Sequence, residues 1–312
     1  MSTKFKREKV NWEIKGRMKN VLVIGGSGFL GSHTADELTR RGYHVSIFDQ
    51  SKSQWLTPDQ KMHVGDILDR EALDAVMKDI DVVYHFAGLA DINKSADYPF
   101  ETINLNVSGT AQIVDAAVRA NIERFIFAST MYVFSPFGSF YRASKQAAET
   151  IIEAYNEQYE LDYTILRYGS LYGPRAQDWN GLRAYVKEII ESGRLNYDGT
   201  GHERREYIHV GDAARLSVDI LDQKYRNRAI TITGTQVMSS TELIEMIFEI
   251  AGKKPVVEYK DEDRSQFHYG LTPYRYTPRQ SMKLVPNEFV DLGQGILEIV
   301  EEVHHQKSDG VD

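Results

Sequence analysis

Tyr141 and Lys145 are the residues of this chain whose types and spacing most directly suggest chemistry. They stand four positions apart in a segment, 140–159, whose apolar residues recur at helical spacing, and a helix places residues four apart on one face. Tyrosine has a pKa of about 10 and is a poor base at neutral pH, but a neighbouring ammonium group lowers that pKa. The pair therefore predicts a tyrosine that exchanges a proton with an alcohol, assisted by a lysine.

Two hydroxyl side chains, Ser129 and Thr130, follow an apolar run at 125–127 that is typical of a buried strand. We expect them at the carboxyl end of that strand, which is where ligands bind on a parallel sheet. A hydroxyl group at this place hydrogen-bonds a substrate alcohol or carbonyl. The sequence thus predicts Ser129 and Thr130 as substrate-binding residues.

A glycine-rich string at 25–31 lies between a β-branched run, 21–24, and a stretch with helical spacing. Glycine accepts unusual φ angles and lets backbone N–H groups approach a pyrophosphate, whose charge the helix N-terminus favours. The spacing of Gly25, Gly28 and Gly31 differs from the usual Gly-x-Gly-x-x-Gly fingerprint, and a plain tight turn also uses such glycines. The string predicts a dinucleotide site only in combination with the strands around it.

Asp49 supplies part of that context, because it ends the next apolar run, 45–48, eighteen residues beyond Gly31. An acid at this place accepts hydrogen bonds from the ribose of NAD and repels the 2′-phosphate of NADP. Two more predicted strand ends follow, at 64–67 and 82–88. Together these units predict an α/β fold, a Rossmann-type doubly wound parallel sheet, with NAD as the cofactor.

Composition narrows the class of protein. The chain has 312 residues, 42% of them hydrophobic, which is enough for a large buried core, and it has no cysteine, which excludes disulfides and thiolate chemistry. A formal charge of −8 disfavours nucleic acid as a partner, and no apolar run is long enough for a membrane span or signal peptide. We expect a cytoplasmic protein. No spacing typical of a metal site is present outside the C-terminal tail.

The chain resembles the extended short-chain dehydrogenase/reductases and, within them, the NAD-dependent nucleotide-sugar epimerase/dehydratase family, being similar to its UDP-galactose 4-epimerase branch. The resemblance covers roughly residues 18–300 and runs through many short strings in order. The strings are 25–34, 65–67, 85–89, 106–110, 125–130, Tyr141-x-x-x-Lys145, 166–168, 171–175 and 205–210.

The resemblance implies a role for each matching residue. It makes Thr130, Tyr141 and Lys145 the catalytic residues, with Tyr141 and Lys145 also contacting the cofactor, and it places Arg205 at the diphosphate of the sugar nucleotide. An arginine suits that place because its planar fork pairs with phosphate oxygens. The further cofactor-binding residues that it implies are Gly25, Gly28, Phe29, Leu30, Gly31, Asp49, Asp66, Ile67, Phe86, Ala87 and Gly88.

The reaction is predicted partly from catalytic residue types that other members of the family have and this chain lacks. Family dehydratases have an Asp-Glu pair directly after the catalytic threonine, and decarboxylating members have a Glu where this chain has Tyr132. Members that epimerise C3 and C5 use a cysteine. By this resemblance the favoured reaction is epimerisation of a nucleotide sugar, UDP-hexose foremost, at C4 through a 4-keto intermediate. Reduction of a 4-keto nucleotide sugar stays open as an alternative, as does an inert dinucleotide-sensing protein.

Other features of the resemblance concern the substrate and the assembly. The segment 134–140 is shorter than the corresponding loop of typical epimerases, so the pocket is expected either to be more open or to be covered by another segment. The aromatic segment 267–278 is predicted to be an irregular segment that closes a surface. Arg264 or Arg275 is a candidate for a second phosphate contact. The resemblance also implies a homodimer formed by helices near 103–120 and 140–159.

Three regions are expected along the chain. Residues 1–17, with six Lys or Arg against two Glu, are read as a basic N-terminal extension. Residues 18–170 are predicted as the NAD-binding Rossmann domain. Residues 171–312 are predicted to be mainly a smaller substrate-binding region, with some segments returning to the Rossmann domain. Candidate rim segments for the substrate are 177–180, which includes Trp179, and 197–200.

Overall fold

The computed structural model describes residues 19–235, 237–260, 268 and 270–273. These residues all belong to one compact unit of the chain, Met1–Thr277. The basic extension at 1–17, Arg264 and Arg275 lie outside the described residues.

The described chain alternates strands and helices, as the spacing of its apolar residues predicts. The strands are β1 Asn20–Ile24, β2 His44–Asp49, β3 Gln60–Val64, β4 Val82–His85, β5 Arg124–Thr130, β6 Tyr163–Tyr168, β7 Ser170–Tyr172, β8 Leu195–Asp198, β9 Arg204–His209, β10 Arg228–Ile232, β11 Val237–Ser239 and β12 Val257–Lys260. The helices are α1 Phe29–Arg40, α2 Arg70–Val76, α3 Ile92–Asp97, α4 Pro99–Ile103, α5 Gly109–Arg119, α6 Ser139–Tyr159, α7 Gly181–Ser192, α8 Val210–Asp219 and α9 Ser240–Ile250.

Seven strands form one sheet in the order β10-β6-β5-β4-β1-β2-β3. Every pairing in this sheet is parallel. The order reverses between β1 and β4, as in a doubly wound sheet, and ligands bind at the carboxyl ends of the strands beside such a reversal. The Rossmann-type fold predicted from the sequence is therefore confirmed.

Both faces of the sheet are covered by helices, which explains why its central strands are continuous apolar runs. One buried cluster joins α1 and α8 to one face through residues such as Leu38 and Val218. A second cluster joins α2, α5 and α6 to the other face through residues such as Leu73, Ile113 and Ile152. The segment 140–159, which carries Tyr141 and Lys145, thus lies on the second face as part of α6.

A separate buried cluster organises the chain after β7. It includes Ile189, Tyr197, Ile244 and Phe248 from α7, β8 and α9. Two small sheets accompany it, one of order β11-β9-β7 and one of β12 with β8. Strand β10 and helix α8, although they also follow residue 170, pack with the central sheet. The domain boundary at 170 stays a prediction.

No helix of the described residues has the length and apolarity that crossing a bilayer requires.

A matched pair of isoleucines tests the burial pattern. Ile165 on β6 is fully buried, whereas Ile250 at the end of α9 is 80% exposed. We expect Ile165→Ala to lower the free energy of unfolding by about 2 to 5 kcal/mol, because it removes buried methyl groups and leaves a cavity. We expect Ile250→Ala to change it by less than about 0.5 kcal/mol. Urea unfolding measures both, and equal losses would contradict the assigned core.

Candidate active site

The glycine-rich turn joins β1 to α1 and is packed too closely for side chains. Gly25 has φ +82°, and a Cβ on it would lie 2.4 Å from the backbone N of Ala87. A Cβ on Gly31 would lie 2.1 Å from the carbonyl oxygen of Gly25. The glycines therefore allow α1 to begin directly against the ends of β1 and β4.

The N-terminus of α1 is open to an anion. Gly28 is its N-cap residue and makes no side-chain capping hydrogen bond, and no acidic residue lies in the first turn, which begins with Phe29 and Leu30. The first N–H groups of a helix lack partners within the helix, and the helix dipole favours negative charge there. This turn fits the pyrophosphate of a dinucleotide.

Asp49 lies at the end of β2, half-buried beside the same turn. Its carboxylate accepts a hydrogen bond of 3.0 Å from the backbone N of Ser27 and one of 3.4 Å from that of Ser51. A carboxylate has about four lone-pair sites, so it can also accept bonds from ribose hydroxyls. Its position fits NAD.

The other residues predicted to contact the cofactor line the neighbouring strand ends. Asp66 follows β3, is exposed, and accepts a bond from the backbone N of Leu68, whereas Ile67 is buried. Phe86, Ala87 and Gly88 follow β4, and the first two are half-buried. The structure gathers these positions at one edge of the sheet, and their individual contacts with NAD stay predictions.

Sequence reasoning missed the role of Asn106, which lies in a π-helical turn between α4 and α5. Its side chain bonds both the N and the O of Leu89, and it donates to the hydroxyl of Ser144 on α6. A Cβ on Gly88 would lie 2.5 Å from its Oδ1. Asn106 therefore ties the loop on the cofactor side to the helix that carries Tyr141 and Lys145.

Lys145 extends from α6 to β5. Its ammonium group donates a 2.8 Å hydrogen bond to the carbonyl of Ala128 and lies 4.7 Å from the centre of the Phe127 ring. Burial lowers the pKa of Lys145 to about 8, and the nearby Glu149 carboxylate opposes that shift. A buried cation one helical turn from Tyr141 is the group that the predicted proton transfer requires.

Tyr132 connects the other two predicted catalytic residues. Its backbone N donates a 3.2 Å bond to the hydroxyl of Thr130, and its ring meets that of Tyr141 edge to face at 6.2 Å between centres. Thr130 ends β5 and is buried, while Tyr141 is half-buried. The structure thus brings Thr130, Tyr141 and Lys145 to the same end of β5.

Ser129 differs from its neighbour Thr130. Its hydroxyl donates a 2.5 Å bond to Glu149, which also forms two hydrogen bonds with the guanidinium of Arg167. Glu149 lies one turn beyond Lys145 on α6, and sequence reasoning did not single it out. A substrate contact for Ser129 stays a prediction, and its hydroxyl already has a partner within the protein.

Arg205, the residue predicted to hold a diphosphate, lies half-buried on β9. Its charge reaches His268, where burial and the Arg205 guanidinium lower the pKa of the imidazole to about 4. Of the candidate rim residues, Trp179 is 49% exposed, whereas Tyr197 is buried and its hydroxyl is within hydrogen-bond distance of Glu203 and Ser240. Tyr197 therefore belongs to the core of this region and not to its rim.

Among the residues that the structure describes, no group of three His, Cys, Asp or Glu is arranged to hold a metal ion. His85 on β4 is a core residue, with Nε2 bonded to the hydroxyl of Thr110 at 2.9 Å, and burial lowers its pKa to about 3.

A doubly wound sheet, an open helix N-terminus and a Tyr-Lys pair beside a strand-end threonine together define a dinucleotide-dependent enzyme of the short-chain dehydrogenase/reductase class. The profile of the NAD dependent epimerase/dehydratase family matches residues 21–233, and the chain belongs to that family. This membership confirms the predicted family and the NAD cofactor.

Relatives of known name carry out different reactions. The chain is 30% identical over 259 residues, 74% of this chain and 80% of the relative, to a UDP-N-acetyl-alpha-D-glucosaminuronate decarboxylase from Bacillus cytotoxicus. It is 28% identical over 296 residues, 78% of this chain and 85% of the relative, to a UDP-glucose 4-epimerase from Bacillus subtilis. The crystal structure of UDP-glucuronic acid 4-epimerase from Bacillus cereus with UDP-glucuronic acid and NAD has a TM-score of 0.75 and 25% identity, covering 84% of this chain and 95% of that one.

The buried ammonium of Lys145 predicts a pH dependence of stability. Its pKa in the folded protein is about 8 against an ordinary 10.5, so between these values the folded state holds fewer protons than the unfolded state, and stability rises with pH. Relative to Lys145→Met, cofactor-free wild type should therefore gain about 3 kcal/mol between pH 7 and pH 10.5. Urea unfolding across this range measures the difference.

The matched control is Lys94→Met, which replaces an exposed lysine on α3. Its difference from wild type should stay flat over the same range. A flat difference for Lys145→Met as well would contradict the burial of the charged group.

Proposed function

We propose that this enzyme epimerises a nucleotide sugar, a UDP-hexose, at C4 through a 4-keto intermediate. The observation that carries the proposal is the Lys145 ammonium, buried at the end of β5 and one helical turn from Tyr141. Such a cation stabilises a tyrosine phenolate beside the site that fits NAD. The glycine-rich turn and Asp49 would hold NAD, which would supply the acceptor and donor of the C4 hydride.

The protein's own residues move the proton. Tyr141 removes it from the C4 hydroxyl as the ketone forms and returns it when the alcohol is restored. The positive charge of Lys145 stabilises the phenolate form of Tyr141. The Thr130 hydroxyl orients the C4 oxygen by a hydrogen bond. Arg205 holds the diphosphate, which leaves the sugar ring free to present either face of C4.

Dehydration and decarboxylation are less well supported. By resemblance, both reactions use a glutamate at the position of Tyr132. At neutral pH an un-ionised phenol is a much weaker base than a carboxylate, so a tyrosine does not replace that glutamate. A C3 and C5 epimerase would need a cysteine, and this chain has none. The named relatives include a decarboxylase, so product analysis must separate these reactions.

Reduction of a 4-keto nucleotide sugar is the second candidate, because it uses the same Thr130, Tyr141 and Lys145. The two functions differ in their use of the cofactor. An epimerase regenerates NAD in every cycle and retains it, whereas a reductase exchanges it. Asp49 favours the epimerase, since a carboxylate beside the ribose suits NAD and disfavours NADP, the cofactor that dedicated reductases often prefer.

We also propose a homodimer. Large apolar side chains are exposed on α4 and at the start of α6, among them Phe100 at 77% and Phe140 at 40%. Exposed apolar residues clustered on helices that pack together are typical of a contact surface. Analytical ultracentrifugation should give twice the chain mass of 35.6 kDa, and Phe100→Glu should shift the protein toward monomer. A wild-type monomer at micromolar concentration would contradict the proposal.

The catalytic assignment is tested by Tyr141→Phe. This variant should retain NAD and fold normally, but kcat on the preferred UDP-hexose should fall by about 100- to 10,000-fold because the proton acceptor is lost. The matched control is Tyr159→Phe at the other end of α6, where the ring is 48% exposed. It should leave kcat unchanged.

The measurement begins by denaturing purified protein and identifying the dinucleotide released. Absorbance at 340 nm is then followed while UDP-, GDP- and dTDP-sugars are added to the native protein, and products are separated. Retained NAD with a transient rise and a C4-epimerised product supports the proposal. Steady consumption of added NADH on 4-keto sugars alone would favour the reductase, and no reaction with any sugar would favour an inert sensing protein.

A further inference from the structure

A short segment near the end of the described chain, 270–273, is fixed alongside β9. The backbone N of Arg204 donates a 2.7 Å bond to the carbonyl of Gly270, and Arg204 forms a parallel bridge with Leu271. The backbone N of Glu206 donates to the hydroxyl of Thr272, which is buried. This segment is thereby attached on both sides of Arg205, the residue proposed to hold the diphosphate.

His268, just before this segment, contacts the catalytic end of β5. Its Nδ1 lies 2.8 Å from the hydroxyl of Tyr132, and the two rings meet edge to face. The Tyr132 ring also meets the ring of Tyr141 edge to face. His268, Tyr132 and Tyr141 therefore form a continuous row of rings that ends at Tyr141, the residue proposed to accept the C4 proton.

Tyr132 is held in place. Its side chain is 9% exposed, and a Cβ on Gly138 would lie 2.7 Å from its Cδ1, so the loop before α6 packs directly on the ring. Gly138 has φ +101°, which lets this short loop turn without a side chain. The Tyr132 hydroxyl is thus positioned by the fold, and His268 is its partner from the C-terminal part of the chain.

The pair carries no charge at neutral pH. Burial and the Arg205 guanidinium lower the pKa of His268 to about 4, against the opposing effect of the Asp91 carboxylate. A neutral imidazole whose Nδ1 accepts from Tyr132 has an N–H donor at Nε2. A group that both donates and accepts hydrogen bonds, such as an alcohol, matches this environment.

We propose that the His268–Tyr132 pair determines sugar specificity by contacting the substituent on C5, the ring carbon next to C4. The pair would select a neutral hydroxymethyl group over a carboxylate at this position. The inference rests on the proposed function, because it places C4 of the sugar at Tyr141. With Arg205 engaged by the diphosphate and the Asp91 carboxylate acting against a second anion, a hexuronate carboxylate beside the pair would lose its hydration, and the pair itself supplies no cation in return. A hydroxymethyl group has no such cost.

The test measures binding without turnover. NAD-loaded Tyr141→Phe protein is titrated calorimetrically with UDP, UDP-glucose and UDP-glucuronic acid. We expect UDP-glucose to bind at least tenfold more tightly than UDP-glucuronic acid. Adding His268→Ala should reduce this ratio to less than about threefold and leave the affinity for UDP unchanged, because UDP has no sugar to contact the pair.

Two further variants separate specificity from folding. His202→Ala, which replaces an exposed histidine four residues before Glu206, should leave the ratio as it is. Tyr132→Phe should reduce the ratio as His268→Ala does, and the double variant should reduce it no further, since the two residues act as a unit. Retention of NAD by every variant reports that the fold is intact.

Equal affinity for the two sugars in the starting protein would overturn the inference, and so would a ratio that His268→Ala leaves intact. Failure of the proposed function has a different signature. It appears as absence of epimerised product from the enzyme with Tyr141 intact, a measurement on which the binding ratio does not depend.

Discussion

The burial of the Lys145 ammonium constrains much of this structure. A cation removed from water is unfavourable unless hydrogen bonds and charges compensate it. Here the ammonium donates a hydrogen bond to the carbonyl of Ala128, the face of the Phe127 ring lies beneath it, and Glu149 is one turn away. These contacts require α6 to pack against the carboxyl half of β5, and that packing in turn fixes where Tyr141 lies.

Glu149 shows how the surrounding charges are balanced. Its carboxylate is buried and accepts hydrogen bonds from the Ser129 hydroxyl and the Arg167 guanidinium. These two partners compensate most of the negative charge of Glu149, and the remainder favours the nearby Lys145 ammonium. On the opposite side, Asn106 holds the loop after β4 against Ser144 on the same helix. Helix α6 is thereby fixed to the cofactor side and to the sheet, which is the pre-organisation that the proposed proton transfer would require.

Much of this arrangement follows from local sequence. The β-branched run at 21–24, the glycines at 25–31 and the acid at 49 each occupy the position that their own chemistry predicts, and α6 covers the predicted segment almost residue for residue. The contact of His268 with Tyr132 could not be predicted from local sequence, because 136 positions separate the two residues and no local periodicity relates them. The same is true of Asn106, whose partners Leu89 and Ser144 lie in two other elements.

The sequence by itself determined the fold class and the NAD cofactor, and it predicted the residues proposed to exchange a proton, because short-range spacing and glycine geometry specify a strand-turn-helix unit and one face of a helix. Tertiary structure decided that the Ser129 hydroxyl donates to a carboxylate of the protein, and it brought His268 and Tyr132 together beside Tyr141. Ser129 and Thr130 are adjacent in sequence, but only packing against α6 gives Ser129 an internal partner in Glu149. Burial and charge at His268 likewise arise only where distant segments meet, since desolvation and the field of Arg205 depend on three-dimensional distance.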